Sequence, residues 1–283
     1  MNYNQIKAFI KLLSITLIIS LALNSAAQRT KSSQSAGEQR YAEKGLKDSR
    51  YFFYFINSAI TNFGTKEEQQ IYKEAIQRDM IAQLMYMKFM FHDSFVEIKR
   101  SQALLVKVYR MVLTRDIKKT KSLLNNFAAE AINSKNSKPR HYLKLGYRDV
   151  AVANQYLIMA NHYRSTLYSM ILYKYVEALK MAKHGKRYAF FSIIKSRGYE
   201  EKKIKRRGPM KFVVYEQLGN LSFKNMMKLV KGITKDKNNQ DYYIKIHYDN
   251  YYKFHSKKSF FDLTWENPKL DEIPQYKEYI KKS

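Results

Sequence analysis

Glycine and proline are scarce in this chain, with nine glycines and four prolines among 283 residues. An average protein of this length has more than twice as many of these two residues, which interrupt helices and strands. Long uninterrupted elements are therefore expected. Because apolar residues recur at a spacing of three and four, these elements are predicted to be helices. The predicted fold is an all-α, elongated array of long antiparallel helices and helical hairpins, loosely tetratricopeptide-like, with an extended C-terminal tail.

The apolar pattern predicts a helical domain over residues 38–195. Thr65, with Glu68 three positions later, matches a capping box and predicts a helix start. The helix that begins at Ser94 is expected to bend or break near Thr114, and the polar stretch from Asn133 to Pro139 predicts a turn between helices. The predicted helices cover residues 38–63, 65–91, 94–116, 123–131, 139–161 and 164–195.

The N-terminus has the pattern of a secretory signal peptide. Two lysines precede an apolar stretch from Leu12 to Leu23, and Ser25-Ala26-Ala27 supplies the small residues of a cleavage site. We predict a signal peptide over residues 1–27 and a flexible, Ser-rich arm over residues 28–37. The alternative is a membrane anchor, but the apolar run of about 12 residues is shorter than the roughly 20 that cross a bilayer. The mature chain is thus expected to be exported and to have no membrane span.

Cysteine is absent and the formal net charge is +28. An exported chain without disulfides has to be stabilised by a buried apolar core. A charge this large raises the local concentration of polyanions around the protein. Outside the cytoplasm, nucleic acid is the less expected polyanion. We therefore predict partners with acidic surfaces, such as acidic protein polymers, envelope glycans or lipid surfaces, and no nucleic acid.

A run of basic residues lies within residues 196–210, where Gly198, Gly208 and Pro209 interrupt the helical pattern. This segment is too highly charged to be buried, so we predict an exposed basic loop. Two interpretations remain open, a mobile connection and a site that binds an acidic partner. The candidate contact residues are Lys202, Lys203, Lys205, Arg206 and Arg207.

The last third of the chain is rich in aromatic residues. Residues 211–258 are predicted to form a C-terminal helical segment, although 211–215 and 244–248 also fit short strands. Residues 259–283 are predicted to be extended, because Asn267-Pro268 and Ile273-Pro274 disfavour helix. The aromatic side chains suit either ordinary packing or a protein-contact surface. The candidate contact residues are Tyr242, Tyr243, Tyr248, Tyr251, Tyr252 and Trp265.

No catalytic pattern is present in the sequence. It has no cysteine nucleophile, Gly-x-Ser-x-Gly elbow, phosphate-binding glycine loop or His-Glu-x-x-His zinc pair. The six histidines are scattered, and His247 and His255 lie about two helical turns apart, too far to share one metal ion. We therefore predict a protein that is not an enzyme, with no catalytic residue, no metal site and no cofactor.

The exported, cysteine-free, all-helical character of the chain resembles the coiling proteins of the spirochaete periplasmic flagellum. The resemblance includes the Tyr-rich stretch from Arg140 to Phe191, RHYLKLGYRDVAVANQYLIMANHYRSTLYSMILYKYVEALKMAKHGKRYAFF. It implies a structural, non-enzymatic protein of the periplasmic filament sheath. Such a subunit binds the flagellin core and neighbouring sheath proteins and promotes filament coiling and motility. No site residue follows from the resemblance.

Two other functions fit the same residues. An exported adhesin-like module that binds polyanionic glycans would account for the positive charge. A helical adaptor in an envelope complex would account for the aromatic surfaces. A hydrolase is the least favoured class, because the sequence supplies neither a nucleophile nor a metal site.

Overall fold

The computed structural model describes residues 36–197, 230–231 and 233–281. Each regular element in these ranges is helical, so the all-α prediction is confirmed, and consecutive long helices pack antiparallel. The helices are α1 (36–63), α2 (Lys66–Met87), α3 (Phe91–Ile132), α4 (Ser137–Asn161), α5 (Tyr168–Ser196), α6 (Lys237–Asn250), α7 (Phe260–Glu266) and α8 (Pro274–Lys281), with a 3₁₀ turn at Leu270–Glu272.

Several predictions concern residues outside these ranges. They are the signal peptide (1–27), residues 28–35 of the arm, residues 198–210 of the basic loop and the strand or helix at 211–215. The last two residues of the predicted arm, Ala36 and Gly37, are already part of α1. The division of the chain into domains stays a prediction.

The start of α2 confirms the predicted capping box. The Thr65 hydroxyl accepts a hydrogen bond from the Glu68 N–H at 3.2 Å, and the Glu68 carboxylate accepts one from the Thr65 N–H at 2.8 Å. Two backbone donors that the helix leaves unpaired are thereby satisfied. α2 ends at Met87, short of the predicted Phe91, because Phe89 has a φ of 60° and this left-handed backbone stops the helix.

α3 is one continuous helix of 42 residues, about 63 Å long. The break predicted near Thr114, with a separate helix at 123–131, is therefore wrong. The Thr114 hydroxyl donates to the Arg110 carbonyl at 2.9 Å, and the Thr120 hydroxyl donates to the Asp116 carbonyl at 2.7 Å. Both hydroxyls are satisfied one turn back in the same helix, so they do not interrupt it.

α3 contributes to both of the larger apolar clusters. In the first cluster it packs with α1, α2 and α5, and the buried Tyr109 hydroxyl donates to the Phe52 carbonyl at 2.5 Å. In the second cluster it packs with α4, α5 and α6. The first cluster includes Phe52, Ile56, Ile76, Leu105, Val112, Leu172 and Leu179, and the second includes Leu123, Leu124, Phe127, Leu143, Phe190, Ile193 and Ile246.

The C-terminal segment folds back onto the long helices. The helix favoured over a strand for residues 244–248 is confirmed, since these residues lie within α6. The extended tail predicted for residues 259–283 is wrong. Ser259 and Asp262 form a capping box that starts α7, and Pro274 occupies the first position of α8, where proline needs no hydrogen-bond partner. Ile273 and Tyr279 are buried against Ile81 and Met85 of α2 and so hold this segment in place.

Candidate functional site

The most concentrated buried chemistry in the described residues is an ion-pair network between α1, α3, α5 and α6. The Lys183 Nζ lies 2.7 Å from the Asp249 Oδ1 and 2.6 Å from the Ser58 Oγ. The Lys186 Nζ lies 2.6 Å from the Asp116 Oδ2 and 3.3 Å from the Asp249 Oδ2. Two lysines face two aspartates, so the network is neutral overall.

Burial and charge pairing act in opposite directions on these groups. Burial lowers the pKa of Lys183 and outweighs the attraction of Asp249. Burial also opposes the charge on Lys186, but Asp116 and Asp249 outweigh it and raise the pKa of Lys186. Burial would raise the pKa of Asp249, yet Lys183 and Lys186 bring it down to about 2. With side chains 0 to 4% exposed, this network has no access for a substrate, and we assign it a structural role.

The histidines do not form a site. His247 packs beside the Tyr251 ring, with the ring centroids 5.1 Å apart, and the His255 Nε2 lies 3.4 Å from the Asp241 Oδ1. Within the ranges that the structure describes, no group of three or more His, Cys, Asp or Glu residues is placed to hold a metal ion.

The predicted tyrosines of α6 and the turn after it face the long helices. Tyr242 lies against Phe63, Tyr243 lies between Phe127 and Phe190, and Tyr252 stacks on Tyr54. Tyr248 neighbours His255, and the Arg187 guanidinium lies 4.8 Å from the centre of the Tyr251 ring. All five tyrosines are half-buried, and the four other than Tyr248 contact the long helices and so help to attach α6 to the fold. Their part in contacting a partner stays a prediction.

Trp265 lies apart from this group, on α7. It is 37% exposed and stacks on Phe261, with the ring centroids 5.5 Å apart. The predicted basic residues Lys202, Lys203, Lys205, Arg206 and Arg207 lie outside the described residues. Among the described residues, Trp265 has a ring contact with Phe261 and none with the five tyrosines.

The pockets where α6 meets the long helices are too small for a ligand. One is lined by residues of α5 and α6, the other by residues of α1, α3, α5 and α6, and each has a volume of about 10 Å³. Small-molecule sites are typically of the order of 300 to 1,000 Å³. Recognition by these parts of the protein would therefore take place on an open surface.

An exposed row of cations crosses the α3–α4 hairpin. Lys118 and Lys121 lie on the solvent side of α3, and Arg140 and Lys144 lie on the solvent side of α4. We call these four residues the basic strip. Their side chains form no ion pair with any residue in the described ranges. Asp149 is the one acidic residue of α4, and it is 3% exposed.

A hydrogen bond between the two helices shows that the four cations share one face. The Tyr147 hydroxyl donates to the Asn125 Oδ1 at 2.6 Å. Lys121 and Lys118 lie one and two turns before Asn125 on α3, and Lys144 and Arg140 lie one and two turns before Tyr147 on α4. Because the helices are antiparallel, the strip extends in both directions from this bond and is about 20 Å long.

A family model with the description "Surface protein adhesin OmpL37" matches residues 36–279. The chain belongs to this family. No curated protein and no solved structure matches it. The match includes the α3–α4 hairpin and almost all of the C-terminal segment, so the basic strip and the α6 tyrosines both lie within the OmpL37 family region.

Membership of the OmpL37 family corrects the resemblance to flagellar coiling proteins. The expected sheath function in filament coiling and motility, the flagellin and sheath partners and the periplasmic location on a filament are all wrong, since the family is one of surface protein adhesins. The resemblance rested on helical, Tyr-rich character, which many unrelated proteins share. No helix in the described ranges has the length and hydrophobicity needed to cross a membrane.

The basic strip was not predicted from the sequence, although a signal for it is present there. Lys107 and Arg110 are three residues apart, as are Lys118 and Lys121, and the two pairs are eleven residues apart, which is about three helical turns and so returns to the same face. Arg140 and Lys144 are four residues apart. Because a bend or break was expected near Thr114, Lys118 and Lys121 fell between the predicted helices 94–116 and 123–131, which hid the pattern. The contact between Asn125 and Tyr147, which joins the two sets, is visible only in the fold.

Proposed function

We propose that this protein is a non-enzymatic surface adhesin that binds an acidic glycan through the basic strip. The observation that carries the proposal is the placement of Lys118, Lys121, Arg140 and Lys144 on one exposed face, where none of them forms an ion pair with a carboxylate of residues 36–197, 230–231 or 233–281. The OmpL37 family description supports an adhesive role, but it does not specify the ligand. A linear polymer of sulfated or carboxylated sugars has the repeated negative charge that a row of cations attracts.

The dimensions of the strip suit a polymer better than a single small anion. The four cations extend over about 20 Å, which is longer than the Debye length of about 8 Å at physiological salt. A small anion would interact strongly with only one or two of them. An extended chain would contact all four and release the counterions that it carries.

The small volumes of the α6 pockets and the enclosed position of the lysine network support a role without catalysis. We also propose that Lys202, Lys203, Lys205, Arg206 and Arg207 add to the attraction for acidic ligands. The tyrosines of α6 and Trp265 remain candidate contacts for a protein partner. These additions are separate from the basic strip and can be tested by separate variants.

The test compares two variants with the same net charge. In the first, all four residues of the basic strip are replaced by Gln. In the control, four exposed cations elsewhere are replaced by Gln: Lys47, Lys66, Lys257 and Lys277. Binding to immobilised heparin, and to a neutral polymer such as dextran, is measured by surface plasmon resonance at several salt concentrations.

We expect the strip variant to bind heparin at least about tenfold more weakly, and the control to lose less than about threefold. The slope of log affinity against log salt concentration should become shallower by about two to four in the strip variant. Equal losses in the two variants would show that net charge, not the strip, determines binding. Equal binding to heparin and dextran would rule out recognition of acidic sugars.

A further inference from the structure

The hairpin between α4 and α5 is almost free of charge. Arg164 is the one Lys, Arg, Asp or Glu among residues 151–173, whereas 27% of the whole chain is charged, which would give about six in 23 residues. Depletion of charge together with exposed methionine is typical of the centre of a protein interface. This part of the surface therefore differs from the basic strip, which lies toward the other end of α4.

Large apolar side chains are exposed in this hairpin. Ile158 is 48% exposed, Met159 49%, Leu167 39% and Met170 47%. We call these four residues the apolar patch. Together they expose on the order of 400 Å² of surface, close to the size of the largest patch on a typical monomeric protein.

A contact between the two helices shows that the methionines are neighbours. The Lys174 Nζ lies 5.6 Å from the centre of the Tyr156 ring, which aligns these two residues across the antiparallel hairpin. Met159 lies one turn beyond Tyr156, and Met170 lies one turn before Lys174. Both methionines are therefore displaced from this contact in the same direction, toward the loop that carries Leu167. The four residues of the apolar patch therefore lie toward the same end of the hairpin.

We propose that the apolar patch binds the same patch of a second copy of this chain and forms a symmetric dimer. Electrostatics argue for this occupant. Each chain has a formal net charge of +28, so two copies repel each other wherever cations face cations. An acidic partner would be drawn to the basic surfaces instead. A lipid-binding surface is rich in Lys and Arg, whereas residues 151–174 have two cations, Arg164 and Lys174. The apolar patch, with Arg164 as the one charged residue among 151–173, is where a second basic chain can approach at the least electrostatic cost.

The chemistry of the patch suits contact with itself. In a two-fold dimer the same residues meet from both sides, so a self-complementary surface is required. Apolar side chains meet this requirement, and methionine adapts its shape to the facing side chain. The uncharged residues that flank the patch, among them Asn154, Gln155 and Thr166, are also exposed and would form its rim. The dimer does not rest on glycan binding, but it would place two basic strips in one particle and so increase avidity for a polymer.

The salt dependence of association gives a direct test. Sedimentation velocity is measured on the full-length mature chain at about 50 mM and about 500 mM NaCl, because salt screens the repulsion between two basic chains. We expect the dimer fraction to rise with salt, the opposite of the effect expected for glycan binding. A chain that is monomeric at about 100 µM at both salt concentrations would overturn the proposal, and so would a dimer that dissociates as salt is added.

Variants then locate the interface. Ile158→Ser, Met159→Ser and Met170→Ser are combined, and the control combines Met87→Ser, Leu263→Ser and Ile280→Ser, which are at least as exposed. We expect the dimer dissociation constant to rise at least about tenfold in the first variant and to stay within about threefold in the control. Circular dichroism checks that each variant is folded. Loss of the dimer in the control alone, or in neither variant, would place the interface elsewhere.

A cross-linking experiment tests the same contact without removing apolar area. The chain has no cysteine, so Met159→Cys introduces one thiol in the patch and Met87→Cys introduces one in a control position. Under mild oxidation, we expect a disulfide-linked dimer from Met159→Cys at least about five times faster than from Met87→Cys. Equal rates would show random collision and would contradict a specific contact at this patch.

Discussion

Replacing Lys183 by Met should destabilise the protein sharply. The Lys183 and Asp249 side chains are both 0% exposed, and their charged atoms are 2.7 Å apart. Removing one partner of a buried ion pair leaves the other charge without compensation and costs about 3 to 5 kcal/mol. The lower end applies here, because Asp249 keeps a hydrogen bond from the Ser58 hydroxyl at 2.9 Å and an ion pair with Lys186. Methionine fills most of the volume of lysine, so the cavity contribution should be small.

Urea unfolding followed by circular dichroism measures this loss, and hydrogen exchange of residues 237–250 shows where it is concentrated. We expect α6 to exchange faster than α3, because the network joins α6 to the long helices while α3 is held by both large clusters. The matched control is the double variant Lys183→Met with Asp249→Asn. It restores neutrality, since Lys186 and Asp116 still form their own pair at 2.6 Å.

The double variant should cost less than the two single variants added together, by at least about 1.5 kcal/mol. Additive costs within about 0.5 kcal/mol would show that the two residues act independently and would refute the argument from a buried pair. A loss below about 1 kcal/mol for Lys183→Met alone would have the same consequence.

Three further predictions concern single positions. Burial raises the pKa of Asp79 from 3.8 to about 6. Ionisation of this carboxyl therefore opposes folding at pH values above about 6, and this cost in stability disappears as the pH falls to about 4. Asp79→Asn should therefore stabilise the protein by about 2 to 3 kcal/mol at about pH 7 and hardly at all at about pH 4; a gain independent of pH in urea unfolding would contradict this. Phe89→Gly should raise stability by up to about 1 kcal/mol, because Phe89 has a φ of 60° and is 79% exposed. A loss of similar size would show that the contact of its ring with Phe91, with the centroids 6.1 Å apart, outweighs the backbone strain. Gly185→Val should lower the free energy of unfolding by about 1 to 3 kcal/mol, since a Cβ at this position would lie 3.0 Å from the Val150 Cγ2 and 3.3 Å from the Gly146 carbonyl oxygen. Thermal or urea unfolding measures this loss, and an unchanged stability would show that α4 moves away freely.

Local patterns in the sequence predicted local structure well. Thr65 and Glu68 are close in the chain and satisfy each other, so the start of α2 follows from the sequence alone. The same reasoning would have found α7, because Ser259 and Asp262 have the same three-residue spacing. The prolines after them do not exclude helix, because a proline such as Pro274 is well suited to begin one.

Long-range contacts explain the parts of the structure that the sequence did not predict. The sequence from Thr114 to Ser122 is polar and would be expected to be exposed, yet Asp116 and Thr120 are buried. Asp116 can be buried because Lys186 pairs with it, and Thr120 because its hydroxyl forms a hydrogen bond within its own helix. Lys186 lies 70 residues further along the chain, so no local pattern reveals this pairing. The tyrosines near Tyr242 similarly find their aromatic neighbours on α1, α3 and α5. The basic strip depends on the same kind of contact, between Asn125 and Tyr147.

The unbroken length of α3 has a mechanical consequence for an adhesin. Lys118 and Lys121 lie in the second half of this helix, and the buried residues on either side belong to different clusters, with Leu113 in the first and Leu123 in the second. A tensile load applied by a bound ligand would pass along the backbone of one helix into both clusters at once. Shear flow would have to extract α3 from two packed regions together, so the protein should resist pulling forces better than a chain with a hinge at Thr114.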